Sequence, residues 1–410
     1  VNLKNFIICV AAGLLFIVKG YAQLKPGEYR GVLLLDSINK IELPFNFEVV
    51  VKGKKQEIII KNAEEKIIVN EISQKGDSIF FKMPVFDTEF RTKINGDDLE
   101  GFWLNNYRTT SRMIPFRAQY GQGLRFPSVP GKGIPMFDGK WEVTFSPGDK
   151  DSSKALGVFK HLEQTDFVYG TFLTETGDYR FLEGIRKGNE LLLSCFDGSH
   201  AFLFKAKLKE GVLTGTFYSG AHWKENWKAK KNENFVLRDP NAITYVKNKE
   251  AKLDFEFPNA EGKKVSINDA RFKNKPLIIQ VMGSWCPNCM DESIYLASVN
   301  KTYKSKGLEI IALAFERTSD PVKARAQVQR FRKKLGIEYE TLITLQSGKA
   351  KATETLPVLN EIISFPTTLF LNKKHEIVRV HTGFNGPATG KLYDEFKEST
   401  EALINLLIKE

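Results

Sequence analysis

Cysteine is scarce in this sequence. Four occur in 410 residues, Cys9, Cys195, Cys286 and Cys289. That is too few, and too unevenly spaced, for a disulfide-stapled scaffold. Five histidines (His161, His200, His222, His375 and His381) show no metal-ligand spacing, which leaves no obvious metal centre. Long hydrophobic runs are missing after residue 18, so no later segment is expected to cross a bilayer as a helix. A one-sided charge pattern is missing too. The formal net charge is +11, but lysines alternate with acids, as in Lys207-Leu208-Lys209-Glu210. That pattern describes a solvated surface. No nucleic-acid motif accompanies it, and nucleic acid is not an expected partner.

Apolar residues make up 42% and aromatics 12%, enough for folded domains and too much for a disordered chain. The first residues carry Lys4, an apolar run from Phe6 to Val18, and small residues at Gly20 and Ala22. This is the layout of a secretory signal cleaved after Ala22. The run is short of the ~20 residues a span needs, so an uncleaved anchor is the lesser alternative. Export to a periplasm or cell envelope is the expectation. Cys9 would leave with the signal.

Residues 23–120 alternate short β-rich runs, such as Phe45–Val51 and Ile79–Met83, with turn signals such as Asn95-Gly96-Asp97-Asp98. Residues 121–137, rich in Gly and Pro, read as a linker. Residues 138–238 repeat the landmarks of the first segment. Gly27-Glu28-Tyr29 matches Gly139-Lys140-Trp141, and Leu99-Glu100-Gly101-Phe102-Trp103 matches Leu213-Thr214-Gly215-Thr216-Phe217. The constant offset implies a duplicated all-β module, barrel or sandwich, with room for about eight strands per copy. Cys195 lies in a strand-like run and reads as an inert core thiol. His222-Trp223-Lys224-Glu225-Asn226-Trp227 could rim a ligand; a strand end completing the core is the reading we favour.

After a connector at 239–251, residues 252–410 change to alternating strands and helices. Strands are expected at Leu277–Met282, Leu308–Phe315, Thr367–Leu371 and Glu376–Val380. Asp320 with Pro321 opens a helix that Gly336 closes. The order β-α-β-α-β-β-α gives a sheet covered by helices. Gly283-Ser284-Trp285-Cys286-Pro287-Asn288-Cys289 falls at the first strand-to-helix junction. A helix N-terminus carries unpaired N–H groups and partial positive charge. That field favours thiolate over thiol, and the thiolate is the nucleophile. Cys289, one turn on, is within reach of a disulfide with Cys286. A structural disulfide or a zinc site are the bland alternatives for such a pair.

These residues resemble the exported TlpA/ResA-type thiol–disulfide oxidoreductases of the thioredoxin fold. The likeness covers the whole C-terminal segment. It rests on Trp285-Cys286-Pro287-Asn288-Cys289, on Glu292 three residues later, on Phe365-Pro366-Thr367-Thr368, and on the entry Leu253–Phe257 through Gly262–Ile267. It departs from the family at Ile294, where a proline is common, and the β-region has no counterpart there.

The resemblance implies that Cys286 is the nucleophile and Cys289 the resolving thiol, with no cofactor beyond their disulfide. It implies a cis bond before Pro366, opposite the cysteines and next to Phe365. Trp285 and Pro287 would shape the rim. Glu316 would sit near the site as a proton relay toward Cys289, with a solvated loop carboxylate as the plainer alternative. Thiols and disulfides of envelope proteins would be the partners. Work as a reductant would need a membrane electron donor, and the β-region could bind a further partner. Two other functions compete. A thiol peroxidase of related fold would need Thr or Ser where Gly283 stands. A ligand-binding β-protein could carry the redox domain as an appendage.

Overall fold

The computed structural model describes residues 24–127, 137–163, 165–248 and 252–410. The expected signal segment with Cys9, the middle of the 121–137 linker and the end of the 239–251 connector lie outside the described residues.

Nine strands form the first module: β1 (Gly27–Asp36), β2 (Ile41–Lys52), β3 (Lys55–Asn62), β4 (Glu65–Val69), β5 (Glu71–Lys75), β6 (Ser78–Lys82), β7 (Thr88–Asn95), β8 (Asp98–Asn105) and β9 (Met113–Tyr120). They pair antiparallel in the order β4-β3-β2-β1-β9-β8-β7-β6-β5. The outer strands β4 and β5 are consecutive, with Asn70 alone between them. The two ends of the sheet therefore meet, and the sheet curls into a barrel.

The second module holds β10 (Gly139–Phe145), β11 (Ser153–His161), β12 (Phe167–Thr174), the short β13 (Gly177–Asp178), β14 (Leu182–Lys187), β15 (Glu190–Phe196), β16 (Ala201–Lys209), β17 (Val212–Ser219) and β18 (Trp223–Lys231). Strand β10 pairs with both β11 and β18, β11 with β12, and β12 with β14. Leaving β13 aside, eight strands close a ring. Barrels of this size have room for little beyond their own side chains. Here Phe172, Phe204 and Phe217 stack at 4.3 and 4.4 Å between centroids, with Trp227 edge-on to Phe172. Cys195 is buried in this core, and burial pushes its thiol well above the ordinary range.

The equivalent positions of the two modules do equivalent work. Tyr29 donates its hydroxyl to the carbonyl of Lys25, and Trp141 donates its indole N–H to the carbonyl of Phe137, each four residues back. Gly101 and Gly215 each lie so close to a neighbouring strand that a Cβ would strike its backbone carbonyl, of Arg91 and Lys205 respectively. The modules also share a core. Phe196 stacks on Phe45 at 4.5 Å and lies edge-on to Trp103. The described ends of the 121–137 stretch are not a free spacer: Arg125, Phe126 and Phe137 are buried, and Arg125 bonds Ser194 of the second barrel.

The C-terminal domain opens with the hairpin β19 (Glu256–Pro258) and β20 (Lys264–Ser266). It continues β21 (Leu277–Met282), α1 (Pro287–Tyr303), β22 (Glu309–Ala314), α2 (Pro321–Leu335), β23 (Glu340–Ile343), α3 (Gly348–Thr355), β24 (Thr367–Leu371), β25 (Ile377–Thr382) and α4 (Lys391–Lys409). The sheet order is β23-β22-β21-β24-β25. β21 to β23 run parallel, and β24 and β25 antiparallel to their neighbours. Asp320 caps α2 through the N–H groups of Val322 and Lys323, and Gly336 ends it with φ 65°. The pair β23–α3 is additional to the expected order. The strand is only four residues long, and α3 is mostly polar, so neither has a periodic signature in the sequence. β21 is buried along its whole length. As the central strand of the sheet, it anchors the Gly283–Cys286 turn that follows it.

Candidate active site

Cys286 is the N-cap of α1. Its sulfur accepts the N–H of Cys289 at 3.3 Å, and its thiol faces the carbonyl of Phe365 at 3.4 Å. Pro287 occupies the first helical position, where its missing N–H costs nothing. Cys286 is 7% exposed and Cys289 fully buried behind it. Burial, with the Cys286 sulfur beside it, pushes the Cys289 thiol well above its ordinary range. The two sulfurs are therefore unequal by placement: one borders a cleft, the other is reached only through the first.

The Phe365–Pro366 bond is cis. Phe365 lies edge-on to Trp285 and stacks on Phe315. Trp285 donates its indole N–H to the carbonyl of Phe315 at 3.0 Å. Gly283 is required under this ring, because a Cβ there would strike Trp285 Nε1. The Thr or Ser that a peroxidase would place at 283 has no room. Glu316 is fully buried, unlike a solvated loop carboxylate. Both its oxygens accept from Ser284, the backbone N–H at 2.9 Å and the hydroxyl at 2.7 Å. It pins the turn that carries the redox motif; burial raises its carboxyl against the pull of those bonds.

Glu292 lies on the buried face of α1 behind the cysteines. It accepts from Gln280 and from Thr368, both at 2.8 Å. Burial raises it to about 7. A carboxyl whose pKa is raised by folding favours the fold while protonated. That contribution is complete below its ordinary value of 4.5 and is lost as pH rises through about 7. The ionised group then costs about 3 kcal/mol at most. Replacing Glu292 by Gln is therefore expected to raise the urea midpoint at pH 8.5 and to leave it unchanged at pH 4.5. A midpoint that falls at both would show that the carboxyl is paired as an anion.

The β-region reaches this site, which the sequence did not reveal. Asn288, between the cysteines, donates to the carbonyl of Asp178 at 3.2 Å. Ser199 donates to the carbonyl of Trp285 at 3.2 Å. Ser364, just before the cis bond, donates to the carbonyl of Thr176 at 2.8 Å. Asp178 accepts the N–H of Gly386 at 2.6 Å. The turn 174–180 of the second barrel thus lies between α1 and the cis-proline loop. Arg180 locks it there. Buried and at φ 59°, it pairs with Glu65 of the first barrel, Asp197 of the second and Asp291 of α1. The first barrel adds Arg330 of α2 to its Met83 and Pro84 carbonyls.

Between barrels and redox motif is a cavity of about 410 Å³ with Cys286 and Trp285 in its wall. Arg108, His222 and Trp223 line it from the barrels, and Arg317 from the C-terminal domain. Trp223 is 54% exposed, whereas Trp227 is fully buried. The favoured core reading of that segment holds for Trp227; His222 and Trp223 border the cleft. Among the described residues, no cluster of His, Cys, Asp and Glu is placed to hold a metal ion. Among them too, no helix is long and apolar enough to cross a membrane.

A thioredoxin-type sheet, two cysteines at the tip of its first helix and a cis-proline facing them define a thiol–disulfide oxidoreductase. Comparison with known proteins gives the same class. The Redoxin family model matches residues 246–395. The thiol-disulfide oxidoreductase ResA of Bacillus subtilis is 26% identical over 130 residues, 32% of this chain and 64% of that protein. That of Halalkalibacterium halodurans is 28% identical over 149 residues, 36% of this chain and 74% of its own. That of Bacillus cereus is 30% identical over 138 residues, 32% of this chain and 71% of its own. Through its C-terminal domain the chain belongs to the ResA-type thiol–disulfide oxidoreductases.

Proposed function

We propose that this protein reduces disulfides of envelope proteins by exchange through Cys286 and Cys289. The observation that carries the reading is the asymmetry of the two sulfurs: Cys286 caps α1 at the cleft, and Cys289 is sealed behind it. The Cys286 thiolate attacks one sulfur of the target disulfide. A Cys286–target disulfide forms, and the other target sulfur leaves as a thiolate that takes a proton from water. Cys289 then loses its proton and attacks Cys286 Sγ. The second target thiol departs, and the enzyme is left with a Cys286–Cys289 disulfide. Two electrons have passed to the target.

Glu292, raised to about 7 by burial, is the nearby base poised to ease the deprotonation of Cys289. Glu316 acts by holding Ser284 and the turn. Trp285, Pro287, Phe365 and Pro366 frame the reacting sulfur. A membrane dithiol donor would return the disulfide to the reduced state. The export-type N-terminus supports the envelope setting, and the barrels serve as part of the active-site wall.

Trapping tests this. A Cys289→Ser enzyme cannot resolve its mixed disulfide, so envelope proteins should be recovered covalently attached to Cys286. Cys286→Ser should capture none. Equal capture by the two variants would count against the assignment of roles.

A further inference from the structure

We infer that the cleft selects disulfides that carry a carboxylate close to the sulfur, and that Arg108 and Arg317 bind that carboxylate. The inference rests on the exchange reading above and names the substrate class for the same site.

Four charged groups besides the redox motif's own face the cavity, and they differ in how they are satisfied. Asp178 accepts from the N–H groups of Gly386 and Arg180. Glu225 accepts from Ser146 at 2.8 Å and from the indole of Trp223 at 3.1 Å. Both acids are thus engaged by the fold. Arg108 and Arg317 are not. Among the described residues, neither guanidinium has a carboxylate within ion-pair distance. Glu316, next in sequence to Arg317, is occupied by Ser284. Arg317 lies over the Trp285 ring, 4.0 Å from its centroid, which places its charge beside Cys286.

The two arginines come from different domains and converge on one cavity. Burial, then their mutual repulsion, lowers the proton affinity of Arg108. Burial, then these two cations, holds His222 down to about 4, so the imidazole adds no charge of its own at neutral pH. Arg317 is drawn at a distance by Cys286 and Glu316, yet among the described residues neither guanidinium has a carboxylate in bonding contact, and two like charges held in one cavity favour the entry of an anion. Guanidinium groups hold carboxylates through paired N–H donors. A cavity of about 410 Å³ fits a small disulfide or one short stretch of chain. In the reaction the bound carboxylate is unchanged. Cys286 attacks the adjacent sulfur, a Cys286–substrate disulfide forms, and the leaving thiolate takes a proton from water.

The test uses the reduced full-length chain and three small disulfides: dithiodipropionate (anionic), hydroxyethyl disulfide (neutral) and cystamine (cationic). A free thiolate repels the first and attracts the last. The inference reverses that order. Dithiodipropionate should react about tenfold faster than hydroxyethyl disulfide, and the ratio should shrink as salt is added. The readout is the ratio of rates, which a poorly packed variant still reports. In R108M/R317M the ratio should fall below one; R108K/R317K should restore part of it. A matched pair of Glu-flanked and Lys-flanked cystine peptides separates the sources of the carboxylate. Preference in both series supports the inference with small disulfides as substrates. Preference in the peptides alone supports it with protein segments as substrates. Cystamine and the Lys-flanked peptide reacting fastest, or a preference that survives R108M/R317M, would overturn it while leaving the exchange chemistry standing. No reduction of any probe would instead remove the exchange reading on which it depends.

Discussion

Replacing Arg180 by Met is expected to cost the fold about 3–5 kcal/mol, the usual penalty for leaving buried charge without its partner. Arg180 is 1% exposed and touches Glu65, Asp197 and Asp291, so one substitution takes a shared cation from three carboxylates in three parts of the chain, of which, among the described residues, Asp197 alone keeps a cationic partner, His200. Asp197 shows what the pairing does. Burial alone would raise its carboxyl, yet His200 and Arg180 hold it down to about 2.

The direction with pH follows. Burial already holds Asp291 up at about 7 against the pull of Arg180, and without the guanidinium it rises further. A raised acid is tolerated while protonated and costs stability as pH rises through its new value. The deficit of R180M should therefore be largest near pH 8 and shrink as pH falls toward 5. Adding Asp291→Asn should recover part of it. Urea midpoints of the wild type, R180M and R180M/D291N across that range check the claim. The same clamp seats the 174–180 turn against α1, so R180M should also expose Cys286 to larger alkylating reagents. A deficit independent of pH would mean that Arg180 serves by packing alone.

The legible parts of this protein were those whose chemistry lies close together in sequence. The Cys286–Cys289 spacing, the strand before it, the Asp320–Pro321 helix start and the Gly336 stop could each be read within a few residues. The duplication was legible because Gly27 and Gly139, or Gly101 and Gly215, answer the same local demand twice. What stayed hidden was tertiary. Arg180 sits in Asp178-Tyr179-Arg180-Phe181 with no periodic or motif signal, and its partners Glu65 and Asp291 are 115 and 111 residues away. The occurrence of left-handed backbone at Arg180 is invisible in its residue type. His222 and Trp223 read as a strand end because nothing nearby in sequence says that a second domain faces them. Glu316 could be read as solvated for the same reason: its partner Ser284 is 32 residues away. The sites of loops that cover an active centre are set by how domains dock, and docking leaves little trace in local pattern.

The second large effect concerns the sulfurs themselves. Cys286→Ser removes the only thiol that borders the cleft among the described residues, since Cys289 and Cys195 are fully buried. Disulfide reduction by that variant should fall at least about a thousandfold, to the rate of a serine that cannot form a disulfide. Cys289→Ser should keep the first attack and lose turnover. Cys195→Ser should change neither.

Behind these differences is a single claim, that Cys286 and Cys289 interconvert as one two-electron couple. Equilibrating the full chain across a series of thiol–disulfide buffers, quenching with acid, alkylating the free thiols and weighing the products measures it directly. A single transition with a two-electron slope is expected, in which Cys286 and Cys289 are lost together and are recovered joined in one peptide-mapped disulfide. Cys195 should stay alkylatable after unfolding throughout. Two separate one-electron steps, or stable buffer adducts on Cys286 with Cys289 still free, would contradict it.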